Sequence, residues 1–365
     1  MKHSFLYRVF RYSAALFFFY LVNSSFAWAQ PLHVGVAGLK HDHVLGLLSE
    51  WKKGNVVIDG IVEKDAQLVA RYKKSHAIPD SLFYADLPTL IKRKKPEAVL
   101  AYNPISEHID VVEICAPRGI SVMVEKPLAT TVTQADRMAE LARKHHIQLL
   151  TNYETTWYAT NQQVYTMIHD QQYIGSIKKM VVHDGHEGPK EIGCTADFLN
   201  WLTDPVKNGG GAITDFGCYG ANLMTWLMKG KAPIAVTAVA RHYKTELYPK
   251  VDDDATILVE YPDATGLIEA SWNWPYSIKD MEVFGKTGYL HALNGKDLVQ
   301  RLKGGYEPVQ VSSPKYSDNL NYLADVLHGK TDPGNDLSSL PNNLIVVKIL
   351  DAARRSAKEG RRIVL

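Results

Sequence analysis

From Leu32 to Tyr153 the chain alternates short apolar runs with stretches of helical periodicity: HVGVAG then HVLGLLSEW, VVIDGIVE then AQLVARYKK, AVLAY then HIDVVEICAPRG, ISVMVEKP then TQADRMAELARKH, and finally IQLLTNY. Runs this short and this rich in aliphatic and β-branched residues read as strands covered on both faces. Strands that alternate with helices form a parallel sheet, because each crossover lays a helix on it. The pattern predicts a doubly wound α/β domain over residues 30–150.

After Tyr153 the strands lengthen and alternate in polarity, as in IKKMVVHDG, IAVTAVARHYK, DATILVEYP, ATGLIEASWNW and KDMEVFGKTGYLHAL. Tight turns such as Pro262 to Gly266 join them, which predicts an α+β domain over 151–365. Its large open sheet is mainly antiparallel, with one face left to solvent or an interface. Residues 342–358 read as an amphipathic helix stopped by Gly360 and placed to pack back on the first domain; the closing IVL reads as a short strand.

The first 29 residues read as an export signal. Lys2, Arg8 and Arg11 precede a nine-residue apolar stretch, Ala14 to Val22, and Ala27-Trp28-Ala29 supplies small residues for cleavage before Gln30. Nine residues are too few to span a hydrocarbon core of roughly 30 Å, so no membrane span is expected after cleavage, and the mature protein is expected in the periplasm or outside the cell. The stretch holds three of the 41 basic residues and none of the 39 acidic ones, which turns a net charge of +2 into −1. Nucleic-acid binding has no support in that balance. Cys115, Cys194 and Cys218 are too few and scattered for a disulfide framework and read as small core residues.

The turn after the opening strand is where a doubly wound domain carries glycines, so that backbone can approach a pyrophosphate at a helix N-terminus. Here it runs Gly38-Leu39-Lys40-His41-Asp42-His43, with only the first glycine of a GxGxxG pattern. Lys40 can meet a phosphate with its charge or block it, and the turn also reads as an ordinary strand-to-helix connection. His41 and His43 form an HxH pair, but no cysteine or carboxylate cluster at ligand spacing completes it, so no metal is expected. Glu63, 25 positions after Gly38 at the end of the second strand, is placed to accept from ribose hydroxyls and to repel a 2′-phosphate, which favours NAD(H) over NADP(H). Asn103, His108 and the Glu125-Lys126-Pro127 segment fall on the same strand-end edge. A lysine there can relay a proton if burial and neighbours bring its pKa toward the working pH; Glu125 and Lys126 also read as a solvated pair before a helix-starting proline.

GGGAITDFGCYGANL, Gly209 to Leu223, is the second informative segment. In a helix over Ala212–Met228, Asp215, Tyr219 and Asn222 fall at i, i+4 and i+7, a polar stripe among apolar neighbours that must be hydrogen-bonded to the fold or to a ligand. Tyr153, His186 in the DGHEGP loop, and Trp272 or Trp274 in SWNWP are further candidates for contacts with a sugar, Trp274 being preferred as the stacking face.

EKP at Glu125 to Pro127, WLTDP-x-x-GGG from Trp201 to Gly211, and D-x-G-x-Y at Asp215, Gly217 and Tyr219 together resemble the Gfo/Idh/MocA family, the glucose-fructose oxidoreductase and inositol dehydrogenase group. The resemblance covers the mature chain. It implies a Rossmann-type dinucleotide-binding domain followed by a substrate and oligomerisation domain, a nicotinamide cofactor, and a small carbohydrate substrate oxidised at a CH–OH group. It implies Lys126 as proton relay, Asp215 as the residue that orients substrate, and Tyr219 where many members carry histidine. It also implies self-association through the second domain's sheet.

An exported enzyme meets little free NAD, so the cofactor is expected to be tightly held. That constraint keeps two alternatives open. One is an NAD-dependent glycoside hydrolase or lyase that oxidises, eliminates and reduces with no net redox change, a tyrosinate or lysine removing the acidified proton. The other is a non-catalytic carbohydrate-binding homologue.

Overall fold

In the computed structural model, which describes residues 31–365, the first layered unit is built as the alternation requires. The export-signal expectation lies outside the described residues. Strands β1 (Leu32–Ala37), β2 (Val56–Val62), β3 (Phe83–Tyr84), β4 (Ala98–Ala101), β5 (Ser121–Glu125) and β6 (Leu149–Asn152) are linked by helices α1 (Val44–Lys53), α2 (Ala66–His76), α3 (Leu87–Lys94), α4 (His108–Cys115) and α5 (Val132–His145). The sheet is parallel throughout, in the order β3-β2-β1-β4-β5-β6. Every residue of β4 and β5 is buried, as strands sandwiched between helices must be. Order reverses between β1 and β4, so their carboxyl ends diverge and open the ligand edge of the sheet.

The second unit adds α6 (Ala159–His169), β7 (Ile177–Gly185), α7 (Ala196–Leu202), α8 (Ala212–Asp215), α9 (Gly217–Leu227), β8 (Ala235–Arg241), β9 (Asp254–Glu260) and β10 (Thr265–Ser271). It continues with β11 (Ile278–Gly285), β12 (Tyr289–Ala292), β13 (Leu298–Arg301), β14 (Glu307–Val309), α10 (Asn319–Leu327), α11 (Leu340–Glu359) and β15 (Ile363–Val364). Its nine strands run β14-β13-β12-β11-β7-β10-β9-β8-β15, antiparallel except where β10 pairs parallel with β7. β9 alternates buried and half-buried residues along its whole length, the signature of one covered face. The segment read as one strand from Lys279 to Leu293 is a hairpin, β11 and β12, turning at 286–288.

Two segments cross back. In α10, Leu320, Tyr322, Leu323 and Val326 join the core of the first sheet, which also takes β6 through to Asn152, so the first layered unit draws on residues beyond 150. Helix α11 is capped by the Ser339 hydroxyl and stopped by left-handed Gly360, and packs on α9 and β8 while also touching α5 and β6. β15 pairs with β8, as the closing IVL predicts.

The helix expected over 212–228 is broken at Phe216. The cause is tertiary. The Asp215 carbonyl accepts from Lys126 Nζ (3.0 Å), and the Tyr219 N–H that would have closed the helical turn on it donates to the Phe216 carbonyl instead. The start of α8 is held by Asp252, whose carboxylate accepts from the N–H of Gly211 (2.8 Å) and of Ile213 (2.6 Å). A Cβ on Gly211 would stand 1.7 Å from the Asp252 carbonyl oxygen, so only glycine fits there.

Candidate functional site

Lys126, at the end of β5, reaches across to α8 and makes an ion pair with Asp215, both side chains buried. The other Asp215 oxygen accepts from the Trp272 indole N–H (3.0 Å), just past β10. Trp272, fully buried, is thus the tryptophan that touches this centre; Trp274 is half-buried and stands edge-on to His183. The preference for Trp274 is corrected accordingly.

Burial by itself would pull the Lys126 ammonium's pKa down, but the Asp215 carboxylate outweighs it and holds the value above that of an ordinary lysine. The condition set for a proton-relaying lysine, a pKa brought toward the working pH, is therefore not met. In this arrangement Lys126 is a fixed cation that donates hydrogen bonds, and Asp215, although buried, is kept ionised by it.

Tyr219 lies between two ammonium groups, Lys126 Nζ and Lys279 Nζ, each 5.0 Å from its ring centroid. Burial and then the nearby carboxyl of Asp184 push its phenol well above the usual tyrosine range, so it is a neutral donor and not a tyrosinate. Tyr153 backs it edge-on at 5.5 Å, fully buried and with its hydroxyl unpartnered. That makes Tyr153 a packing support, contrary to its expected place on the substrate.

Three residues complete the cluster that no motif had announced. Lys279 on β11 pairs with Glu154, which also accepts from the Tyr158 hydroxyl (2.7 Å). Asp184, near the end of β7, is 1% exposed and its Oδ1 has no hydrogen-bond partner. Burial raises its pKa to about 8 against the pull of Lys279 and Lys126. His186, half-buried, sits edge-on to Phe216 at 4.9 Å; burial lowers its pKa, and it faces the same cluster. Asn222 does not: it is fully buried and donates to the Leu337 carbonyl (2.8 Å), tying α9 to the start of α11. The break at Phe216 and the bulk of α11 remove it from the stripe predicted with Asp215 and Tyr219.

The opposing edge carries the turn at 38–43. Gly38 is left-handed (φ 83°), and a Cβ there would meet the Asn103 backbone at 2.9 Å, so the tight turn needs its glycine. Asn103 itself is nearly buried with Oδ1 unpartnered. The carboxylate of Glu63 accepts from the N–H of Leu39 (2.8 Å) and of Asp65 (2.9 Å), bracing the turn. His108 lies wholly buried below the edge, its Nδ1 on the Leu128 carbonyl (3.1 Å) and its pKa lowered by burial to about 4; it is a neutral core group, not a contact on the open edge as expected.

A matched model described as "Oxidoreductase family, NAD-binding Rossmann fold" covers residues 32–153, and one described as "GFO/IDH/MocA C-terminal domain" covers 161–291. The chain belongs to the Gfo/Idh/MocA oxidoreductase family. Trans-1,2-dihydrobenzene-1,2-diol dehydrogenase of Xenopus laevis is 26% identical over 311 residues, 80% of this chain and 87% of that protein. D-xylose 1-dehydrogenase [NADP(+)] of Haloarcula marismortui is 24% identical over 207 residues, 57% of this chain and 55% of that one. For several curated relatives the match spans less than two thirds of their length. In fold, the chain resembles the aldose-aldose oxidoreductase from Caulobacter crescentus, complexed with glycerol, with a TM-score of 0.77 at 22% identity, covering 92% of this chain and all of that one.

A Gfo/Idh/MocA protein is expected to hold a nicotinamide dinucleotide at this edge, but the residues of the turn do not fit a pyrophosphate. The N–H groups of Val44, Leu45 and Gly46, at the start of α1, already donate to the carbonyls of His41, Asp42 and His43. The Asp42 carboxylate stands beside them and accepts from the Thr195 N–H (2.9 Å) and hydroxyl (2.6 Å). The Lys40 carbonyl accepts from the Trp201 indole (3.1 Å), and the His41 ring, 1% exposed, packs against Phe198 and Trp201. Residues 195–201 therefore lie on the place where phosphate oxygens would need N–H donors and no carboxylate. His41 fills the turn, and His43 is half-exposed beside it.

His43 Nδ1 meets Glu125 Oε2 at 2.9 Å, so the HxH pair has a carboxylate after all, brought from β5. Sequence spacing could not show this, since 82 positions separate the two. A cavity of about 570 Å³ between Trp157, Tyr165, Trp226 and Tyr322 contains none of the cluster's residues.

Proposed function

We propose that this Gfo/Idh/MocA protein is an exported oxidoreductase acting on a CH–OH group of a sugar-type or polyol substrate, with Lys126, Asp215 and Tyr219 carrying its proton chemistry and NAD(H), tightly held, as the expected redox partner. The observation that carries the reading is the buried Lys126–Asp215 pair, anchored by Trp272 beside Tyr219 at the carboxyl edge of the first sheet. An ammonium held charged donates to a substrate hydroxyl oxygen and favours its alkoxide form, and the neutral phenol of Tyr219 adds a second donor. The dehydrogenases and the aldose oxidoreductase among the relatives act, by their names, on hydroxylated compounds, which supports the substrate class. The Glu63 carboxylate stands just past the end of β2, bonded to the Leu39 N–H, a placement that supports NAD(H) over its 2′-phosphorylated form. The reading requires residues 195–201 to lift from the turn.

The filled turn favours a second reading, a carbohydrate-binding homologue that takes up no dinucleotide. One experiment separates the two. Protein purified from the export compartment, with its N-terminus sequenced (Gln30 expected), is denatured and its extract searched for nicotinamide by mass spectrometry. It is then incubated with sugar, polyol and glycoside panels with and without added NAD⁺. Turnover that falls about 100-fold or more in Lys126→Met, and less in Tyr219→Phe, is expected. A protein that neither retains nor takes up nicotinamide overturns the enzyme reading in favour of the second.

A further inference from the structure

The turn that does not fit a pyrophosphate gathers a different set of donors. His41, His43 and Glu125 each offer one ligand atom, all within 4.8 Å of one another. Two imidazoles and a carboxylate are a common protein ligand set for a divalent transition ion that keeps one position open. His41 Nε2 is buried with no hydrogen-bond partner, a ring nitrogen that a bound ion would satisfy. Glu125 is held from behind: Asn152 Nδ2 donates to its Oε1 (2.9 Å), and the Trp157 indole donates to Asn152 Oδ1 (3.1 Å). Such outer contacts aim a ligating carboxylate. The half-exposed His43 gives an ion a path from solvent.

We propose that His41, His43 and Glu125 form a binding site for a divalent transition-metal ion, with zinc as the probe, in the turn where this fold otherwise holds phosphate. The nearby ammonium of Lys126 does not forbid it, because Asp215 neutralises that charge. Bonds of about 2.0–2.1 Å in a tetrahedral site put donors roughly 3.3 Å apart, so on loading His43 Nδ1 and Glu125 Oε2, now 2.9 Å apart, part slightly, and the widest separation among the three atoms closes by at most about 1.5 Å. Ligation through His41 Nε2 puts the proton on Nδ1, so the 3.2 Å contact that Nδ1 now accepts from the His43 N–H opens. Both changes fall within one short turn. The proposal does not depend on the oxidoreductase reading.

The test uses untagged protein stripped with chelator, re-equilibrated with zinc and assayed for bound metal by mass spectrometry and for thermal midpoint. About one equivalent is expected, with a raised midpoint. His43→Ala, at a half-exposed position, and Glu125→Gln, nearly isosteric, are each expected to bind zinc at least about tenfold more weakly. His183, Asp280 and His291 form the competing surface cluster, so His291→Ala serves as control and is expected to bind as wild type does. Wild-type stoichiometry in both His43→Ala and Glu125→Gln, loss of zinc in His291→Ala instead, or no binding by the wild-type protein overturns the site.

Discussion

The two sides of the interdomain edge handle charge in opposite ways. On the second-domain side, charges are paired across elements distant in sequence, the buried Lys126 with Asp215 and the half-buried Lys279 with the exposed Glu154, while one buried acid, Asp184, has no paired base. On the turn side, the donors a phosphate would need are spent on the turn's own carbonyls, and the neighbouring charge is the wrong sign. Proton chemistry and phosphate binding are thus separable within one fold. The first survives here as a network that costs too much to bury unless each charge has its partner. The second meets a turn filled by packing and imidazoles unless residues 195–201 lift.

The largest effect is expected from breaking the pair that organises the charged side. Lys126→Met leaves the Asp215 carboxylate buried without its cation, a loss of about 3–5 kcal/mol in unfolding free energy. Adding Asp215→Asn removes the stranded charge, so the double variant is expected to recover most of that loss in denaturant melts. If the single variant unfolds at the wild-type midpoint, the pair is not the organising element and the contrast between the two sides fails.

A smaller effect, with a definite sign, is expected at Asp184. Folded, it keeps its proton up to about pH 8; unfolded, it releases it near the ordinary carboxylate value of about 3.9. Between those values the folded protein binds more protons, so the contribution of Asp184 to stability is complete below about pH 4 and is lost as pH rises through 8. Asp184→Asn has no proton to lose. It is expected to match wild type near pH 4 and to gain on it by at most about 1.4 kcal/mol per pH unit toward pH 8. Parallel stability curves for the two proteins would place Asp184 among solvated carboxylates.

How much of this was legible in sequence follows from what kind of interaction made each feature. The first sheet was readable because its strands are set by local apolar runs, and EKP and GGG-x-x-x-D were readable because Lys126 and Asp215 sit in fixed local patterns. The break at Phe216 was not, because it comes from a lysine 89 positions away taking a helical carbonyl. Asp184, Glu154 and Lys279 carry no motif; β7 and β11 bring two of them together only through sheet register, where Lys279 lies opposite Asp184. His41 and His43 were visible as a pair, but their carboxylate was not. Asn222 was misread because helical spacing shows which residues share a face and not what covers it. Asn222→Ala is accordingly expected to cost about 1 kcal/mol, for one buried hydrogen bond lost while the Leu337 carbonyl keeps that from Asn343 Nδ2 (3.0 Å), and to leave KM unchanged. A raised KM with unchanged stability would return it to the substrate.

The smallest expected effect sharpens the comparison most. Thr195→Val removes the hydroxyl that donates to Asp42 and caps α7 by accepting from the Phe198 N–H (3.3 Å) but keeps the side chain's shape, and neither bond is fully buried, so the cost in stability is expected to be about 1 kcal/mol. Its consequence is local. Residues 195–201 are also held to the first domain by the Arg71–Asp197 pair and by the Trp201 indole, so the loss of these two bonds loosens the segment without freeing it. Amide exchange over 195–201 is expected to quicken while that around Lys126 and Asp215 does not. If dinucleotide enters by lifting this segment, part of its binding energy goes into opening, and a variant that opens more readily binds NAD(H) more tightly by the same factor. Equal affinity in Thr195→Val and wild type, with exchange quickened, would show that the segment does not guard the turn, leaving the imidazoles and the spent N–H groups as the whole reason a pyrophosphate is excluded.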